Sequence, residues 1–133
     1  MSTIVLYSDG AARGNPGPAS IGAVLYRDGD RTPCAEISET IGETTNNVAE
    51  YRAVIAGLES AVDFEPELLI VRADSLLLIR QLQGIFRVKA PGLKPLHRRA
   101  VELLGRFDHV RLEHVPREDN TAADALANLA LDR

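Results

Sequence analysis

The sequence has 133 residues, of which 45% are hydrophobic and 26% are charged, and these values fit one packed globular domain rather than a disordered chain. No apolar run approaches the roughly 20 residues that a membrane-spanning helix needs, and no basic segment followed by an apolar stretch begins the chain, so neither a membrane protein nor a secretory signal is predicted. The lone Cys34 excludes an internal disulfide and favours a reducing cytoplasm.

The formal net charge of −4 argues weakly against nucleic-acid binding, but the charge is unevenly placed. Acids dominate from Asp28 to Asp74, whereas bases dominate from Arg80 to Arg117. A local basic face can bind phosphate even when the total charge is acidic. An ordinary solvated helix surface would show the same pattern, so the charge alone leaves both interpretations open.

Three strands are predicted in the first third of the chain. Residues 3–9 alternate in polarity, carry β-branched side chains, and predict a strand that ends at Asp9. A glycine-rich segment follows, and its Asn-Pro-Gly-Pro run at 15–18 is typical of a turn. Residues 21–27 and 34–41 predict a hairpin, because the Asp-Gly-Asp sequence between them is a strong hairpin signal.

Helices and strands alternate in the rest of the chain. Helices are predicted from residue 45 or 46 to about 62 and over 75–83, 93–106 and 120–131, and strands over 67–73 and 110–115. Thr45 or Asn46 is a suitable N-cap for the first helix. This order predicts an α/β domain with a mixed five-stranded sheet, and we expect one domain over residues 1–133.

Four acids occupy positions where a core or a surface does not require them. Asp9 and Asp74 each end an apolar strand, Glu50 lies on the apolar-rich side of a helix, and Asp124 lies among alanines near a helix start. Groups at the carboxyl ends of strands face the functional crevice of an α/β sheet. Gathered carboxylates repel one another unless a cation lies between them, and oxygen ligands without a cysteine or histidine cluster indicate Mg²⁺ or Mn²⁺.

Each acid also has a structural interpretation. Asp9 before a glycine could belong to a turn, Asp74 and Glu50 could serve helix starts, and Asp124 could be favoured by the helix dipole. That all four are structural is a much weaker explanation than a shared site. Two ions about 4 Å apart would suit phosphodiester cleavage, because both the attacking and the leaving oxygen would be stabilised.

Four blocks of the sequence together resemble the type 1 ribonuclease H family, in its branch without a basic handle. They are YSDGAARGNPGPASIGAV (7–24), TTNNVAEYRAVIAGL (44–58), ADSLLLIRQLQG (73–84) and HVPREDNTAADALANLA (114–130). The resemblance implies a central Asp9 strand in a sheet of order 3-2-1-4-5 with strand 2 antiparallel. It implies that Asp9, Glu50, Asp74 and Asp124 bind two Mg²⁺ or Mn²⁺ ions, and that the RNA strand of RNA–DNA hybrids is cut to 5′-phosphate and 3′-hydroxyl ends. Removal of hybrids and primers in replication and repair is the implied role.

The resemblance also implies substrate contacts. They fall on Gly14, Asn15, Thr45, Asn46, Asn47 and Gln81, with Lys89 as a possible remnant of a hybrid-binding surface. His114 matches a histidine that aids turnover in many members, but the REDNTAAD context is typical of a branch that uses an arginine instead, and Arg117 is the alternative.

Some family features are missing. The chain has no tryptophan, and the handle is reduced to residues 85–92. The alternatives are a module that binds hybrids or structured RNA without cutting, and another polynucleotidyl transferase of the same fold. A cytoplasmic monomer is expected, with no membrane and no protein partner.

Overall fold

The computed structural model describes residues 2–133, and its elements follow the predicted order. The strands are β1 (Thr3–Ala12), β2 (Gly17–Arg27), β3 (Ala35–Thr44), β4 (Leu68–Ala73) and β5 (His109–His114), and the helices are α1 (Asn46–Val62), α2 (Leu76–Leu82), α3 (Lys94–Leu104) and α4 (Thr121–Asp132). A short 3-10 helix at Arg117–Asp119 lies between β5 and α4. None of the helices within residues 2–133 has the length and hydropathy that a membrane span requires.

The five strands form one sheet in the order β3-β2-β1-β4-β5. The central strand β1 is antiparallel to β2 and parallel to β4, and β5 continues the parallel half of the sheet. The prediction of a mixed α/β sheet in the order 3-2-1-4-5 is confirmed.

The predicted end of the first strand is wrong. Pairing of β1 with β4 stops at Ser8 and Ala73, but pairing with β2 continues through Asp9 to Ala12. The turn closes later than expected, since the Arg13 N–H donates to the Pro18 carbonyl at 2.8 Å. Asp9 therefore lies within β1, at the first position beyond the parallel ladder.

Helices cover the sheet unevenly. The hydrophobic core lies between one face of the sheet and α1, α2 and α3, and it includes fully buried Leu6, Leu25 and Leu58. Each such leucine contributes about 1.5–3 kcal/mol by leaving water. Helix α4 packs against the other face, where the Ser20 hydroxyl donates to the Ala127 carbonyl at 2.5 Å.

Candidate active site

Two glycines within the strands allow two helices to approach Asp9. A Cβ added at Gly10 would lie 2.3 Å from the Glu50 nitrogen, and one added at Gly22 would lie 2.2 Å from the Ala123 carbonyl oxygen. Neighbouring residues of a strand face opposite sides of the sheet. Gly10 therefore admits the start of α1 on one face, while Gly22, the pairing partner of Asp9, admits the start of α4 on the other.

The start of α1 is fixed to the turn between β1 and β2. The Thr45 hydroxyl caps the helix by accepting the Val48 N–H at 3.3 Å, so Thr45, one of the two predicted N-caps, is the one used. The Asn46 side chain accepts the Ala12 N–H at 3.0 Å, and the Asn46 N–H donates to the Asn15 side chain at 3.1 Å. The turn and the helix that carries Glu50 are thus bonded to each other in both directions.

Ser75 connects two of the acids. It is the N-cap of α2 and accepts the Leu78 N–H at 3.2 Å, directly after Asp74. Burial raises the pKa of Glu50, a hydrogen bond from Ser75 lowers it, and the negative charge of Asp74 raises it again. The net direction is upward, so Glu50 holds a proton more strongly than a carboxyl group in water.

Two asparagines hold the acids on the α4 side. The side-chain nitrogen of Asn120 donates to the Ser8 carbonyl at 2.9 Å and to the Asp74 carboxylate at 3.2 Å. One helical turn beyond Asp124, the side-chain nitrogen of Asn128 donates to the Asp124 carbonyl at 3.0 Å and contacts its carboxylate at 3.3 Å. The Asp74 and Asp124 side chains are each fixed by an uncharged donor.

Asp9 is the most perturbed acid of the site. Burial, followed by the charge of Asp74, a hydrogen bond with Asp124 and the charges of Asp124 and Glu50, raises its pKa from 3.8 to about 8. Every one of these causes acts in the same direction, because no positive charge compensates the carboxylates. Asp9 therefore binds a proton more strongly than a carboxyl group in water.

The donor chemistry fits a divalent cation. The acids present only oxygen ligands, and their crowding without a compensating positive charge favours a bound cation. The side chains do not form a finished cage: within residues 2–133, no three Asp, Glu, His or Cys side chains meet as a ready metal-binding group. A bound ion would supply the positive charge that the cluster lacks.

The predicted substrate residues are distributed over two regions. Gly14, Asn15, Asn46 and Asn47 are exposed around the β1–β2 turn and the start of α1, with Thr45 half-buried beside them. Gly14 has a φ of 102°, a left-handed conformation that favours glycine. Lys89 is exposed in the segment between α2 and α3, away from that turn in the chain.

Gln81 is more buried than the other predicted substrate residues. The residue is 6% exposed, and its side-chain oxygen accepts the Tyr51 hydroxyl at 2.6 Å, so it links α1 and α2. It also lines the groove beside the segment between α2 and α3, and its contact with substrate stays a prediction.

The two turnover candidates differ in their surroundings. His114 ends β5, is exposed, and its Nε2 lies 3.2 Å from the Asp74 backbone oxygen, so its ring contacts the strand end rather than the carboxylate. Arg117 is exposed in the short 3-10 helix that precedes α4. Both lie near the chain segments that carry Asp74 and Asp124, and the choice between them remains a prediction.

Sequence reasoning missed Asn120, Ser75, Gly10 and Gly22 as parts of the site. A glycine inside a predicted strand signals a close backbone approach, so Gly22 was detectable. Asn120 and Ser75 were interpreted only as helix starts. Asn120 is 1% exposed, a burial that a capping asparagine does not need.

Comparisons with known proteins agree with this geometry. A family model described as reverse transcriptase-like matches residues 7–130. Ribonuclease HI of Halobacterium salinarum is 52% identical over 126 residues, which is 95% of this chain and 63% of that protein. The N-terminal RNase H domain of a Mycobacterium tuberculosis protein, solved as a fusion with maltose binding protein, superposes with a TM-score of 0.94 at 45% identity, covering 98% of this chain and 99% of that chain.

A further structural neighbour contains nucleic acid. LC11-RNase H1 in complex with an RNA/DNA hybrid has a TM-score of 0.90 and 43% identity to this chain, and the match covers 97% of this chain and 96% of that one. The chain spans less than two thirds of the first curated relatives, namely 63% of the Halobacterium protein and 35% of a bifunctional Mycobacterium tuberculosis protein.

Proposed function

The chain belongs to the type 1 ribonuclease H family, and on that premise we propose that it hydrolyses the RNA strand of RNA–DNA hybrids, leaving 5′-phosphate and 3′-hydroxyl ends. The observation that carries the proposal is the convergence of Asp9, Glu50, Asp74 and Asp124, from four separate segments of the chain, on one group of acids without a compensating positive charge. Crowded acids of this kind destabilise the fold unless a cation binds between them.

Asp9, Glu50, Asp74 and Asp124 would hold two Mg²⁺ or Mn²⁺ ions. Such ions, when bound, supply an activated water and charge stabilisation for in-line displacement at phosphorus. The protein contributes position: β1 fixes Asp9, the glycine contacts bring in Glu50 and Asp124, and Ser75 and Asn120 orient Glu50 and Asp74. His114 or Arg117 would assist release of the cut strand.

Recognition of RNA is proposed for the β1–β2 turn and the start of α1. Gly14, Asn15, Asn46 and Asn47 are exposed there, and the bonds between Asn15 and Asn46 hold the surface in shape. Only contacts to 2′-hydroxyl groups distinguish RNA from DNA locally, and uncharged amides and backbone groups are suited to them. Thr45 would contribute at the neighbouring DNA phosphate.

The grip on the rest of the hybrid is proposed for the segment between α2 and α3. A groove of about 570 Å³ there is lined by Phe86, Arg87, Lys94 and Arg98, among others. No salt bridge within residues 2–133 involves those three cations or Lys89, whereas Arg99 and Arg106 are paired with glutamates. Unpaired cations beside exposed apolar side chains are suited to a nucleic-acid backbone.

Cleavage of matched RNA–DNA, RNA–RNA and DNA–DNA duplexes with Mg²⁺ or Mn²⁺ tests the proposal. We expect cutting of the RNA strand of the hybrid only, its loss in EDTA, and its loss in Asp9→Asn. Asp30→Asn, which changes an exposed hairpin acid, is the matched control and should keep full activity. Binding without cutting would favour the non-cleaving module, and cutting of DNA–DNA would favour another polynucleotidyl transferase.

We also propose that residues 1–133 act as one catalytic domain, monomeric, in the cytoplasm, in hybrid and primer removal during replication and repair. The free thiol of Cys34 supports a reducing compartment. The single sheet shared by every strand within residues 2–133 supports one domain.

A further inference from the structure

We propose that Asn120 is a positioning residue, which sets the spacing of Asp9, Asp74 and Asp124 by bonding to the segments that carry them through its side-chain amide and its backbone carbonyl. The inference rests on the proposed function and deepens it. Asn120 is assigned no contact with substrate and acts through its neighbours.

The Asn120 amide lies where the parallel ladder between β1 and β4 ends. The last pair of that ladder is Ser8 and Ala73; Asp9 follows within β1, and Asp74 follows directly after β4. At this point the Asn120 nitrogen donates to the Ser8 carbonyl at 2.9 Å and to the Asp74 carboxylate at 3.2 Å. One amide group thus bridges the backbone that precedes Asp9 and the side chain of Asp74.

Asn120 also fixes the third acid. It is the residue directly before α4, and its backbone carbonyl accepts the Asp124 N–H at 3.1 Å, which is the first hydrogen bond of that helix. Movement of Asn120 would therefore displace the first turn of α4. Asn120 is thus bonded to the three segments that carry Asp9, Asp74 and Asp124.

The chemistry of the side chain suits this role. An asparagine side-chain nitrogen has two hydrogens, and both are used here on acceptors. The residue is 1% exposed, so the packing around it holds the amide in this orientation. Since an amide donor is neutral, it orients Asp74 without competing with a cation for its charge.

Two substitutions separate this role from simple packing. Asn120→Asp keeps the shape but places acceptors against the Ser8 carbonyl and the Asp74 carboxylate, whereas Asn120→Ala removes both the donors and the volume. If Asn120 only filled space, Asn120→Asp would be the milder change. If it positions the acids, Asn120→Asp is at least as damaging as Asn120→Ala.

The experiment measures steady-state cleavage of the hybrid together with Mn²⁺ binding to substrate-free protein by calorimetry. For both variants we expect kcat to fall roughly 10–100-fold, as is usual for residues that orient metal ligands, with KM changed by less than about threefold. Asn120→Ala should also bind Mn²⁺ roughly tenfold more weakly. Gln83→Ala, which deletes an amide donor to the Leu112 carbonyl, is the control and should change neither quantity.

Wild-type kcat in folded Asn120→Asp, or unchanged Mn²⁺ affinity in folded Asn120→Ala, would overturn the proposal. If neither variant folds, a second measurement keeps Asn120 intact: its side-chain amide signals are followed by NMR in wild type and in Asp74→Ala. In Asp74→Ala we expect these signals to shift and to exchange faster with solvent than in wild type, while the Gln83 amide signals stay unchanged. Asn120 amide signals that are the same in both proteins would contradict the inference. If wild type fails to cut hybrids, the proposed function is wrong, and the Mn²⁺ and NMR results still decide the role of Asn120.

Discussion

The substitution Asp9→Asn should make the metal-free protein more stable, although it removes an acid of the proposed metal site. In the fold, the Asp9 pKa is raised from 3.8 to about 8, first by burial and then by the neighbouring acids. An acid whose pKa is raised by folding binds more protons in the folded state, so stability falls as pH rises. The stability that the fold loses through Asp9 is absent below pH 3.8, grows between pH 3.8 and about pH 8, and is constant at higher pH.

The magnitude follows from that window. Each pH unit between the unfolded and folded pKa values costs about 1.4 kcal/mol, so the unreduced penalty at neutral pH is about 4 kcal/mol. The raised Asp9 pKa depends partly on the neighbouring acids, and Asp9 is partly exposed, so we expect Asp9→Asn to increase the free energy of unfolding by about 2–4 kcal/mol in EDTA. For a chain of this size the corresponding rise in Tm is roughly 6–12 °C.

Thermal and urea denaturation from about pH 5 to 8.5, in EDTA and in excess Mg²⁺, measure this effect. The advantage of Asp9→Asn should widen with pH in EDTA and shrink when Mg²⁺ is added, because wild type then gains binding energy that the variant lacks. Asp30→Asn should show neither trend. If Asp9→Asn were no more stable than wild type in EDTA at alkaline pH, Asp9 would not be the buried, crowded carboxyl group described above.

Two further substitutions test the packing around the site. Gly22→Ala places a methyl group 2.2 Å from the Ala123 carbonyl oxygen, so α4 must move. We expect the free energy of unfolding to fall by at least about 1–3 kcal/mol and cleavage to become slower. Gly92→Ala, with open space around it, is the control in urea denaturation and cleavage assays. Tyr51→Phe leaves the buried Gln81 side-chain oxygen without its donor and should lower the free energy of unfolding, measured in urea, by about 1–3 kcal/mol with kcat unchanged. A lower kcat without a loss of stability would instead indicate that Gln81 contacts the substrate.

The fold was predictable because its periodicities are clear. Alternation in residues 3–9 and the Asp-Gly-Asp hairpin signal identified the strands, and the order of helices and strands then left few topologies. The extension of β1 to Ala12 was not predictable, because those small residues show no alternation of polar and apolar side chains. Pairing with β2, rather than local propensity, keeps that segment extended.

The acids of the site were predictable from the sequence, but the residues that position them were not. A carboxylate at the end of an apolar strand is conspicuous in a sequence, as at Asp74. A buried amide is not, because Asn120 before a helix has the same sequence context as an ordinary capping residue. Gln81 shows the opposite case, since a polar residue in a matching block was assigned to the substrate and its side chain contacts Tyr51 in the core, which the sequence does not reveal.

The end of the β1–β4 ladder at Ser8 and Ala73 leaves two of the acids differently restrained. Asp9 stays within an antiparallel ladder that continues for three more residues, so its backbone opens only when the sheet opens. Asp74 lies just beyond the last ladder pair of β4, outside any strand or helix. Adjustment to an arriving ion is therefore expected at Asp74 rather than at Asp9.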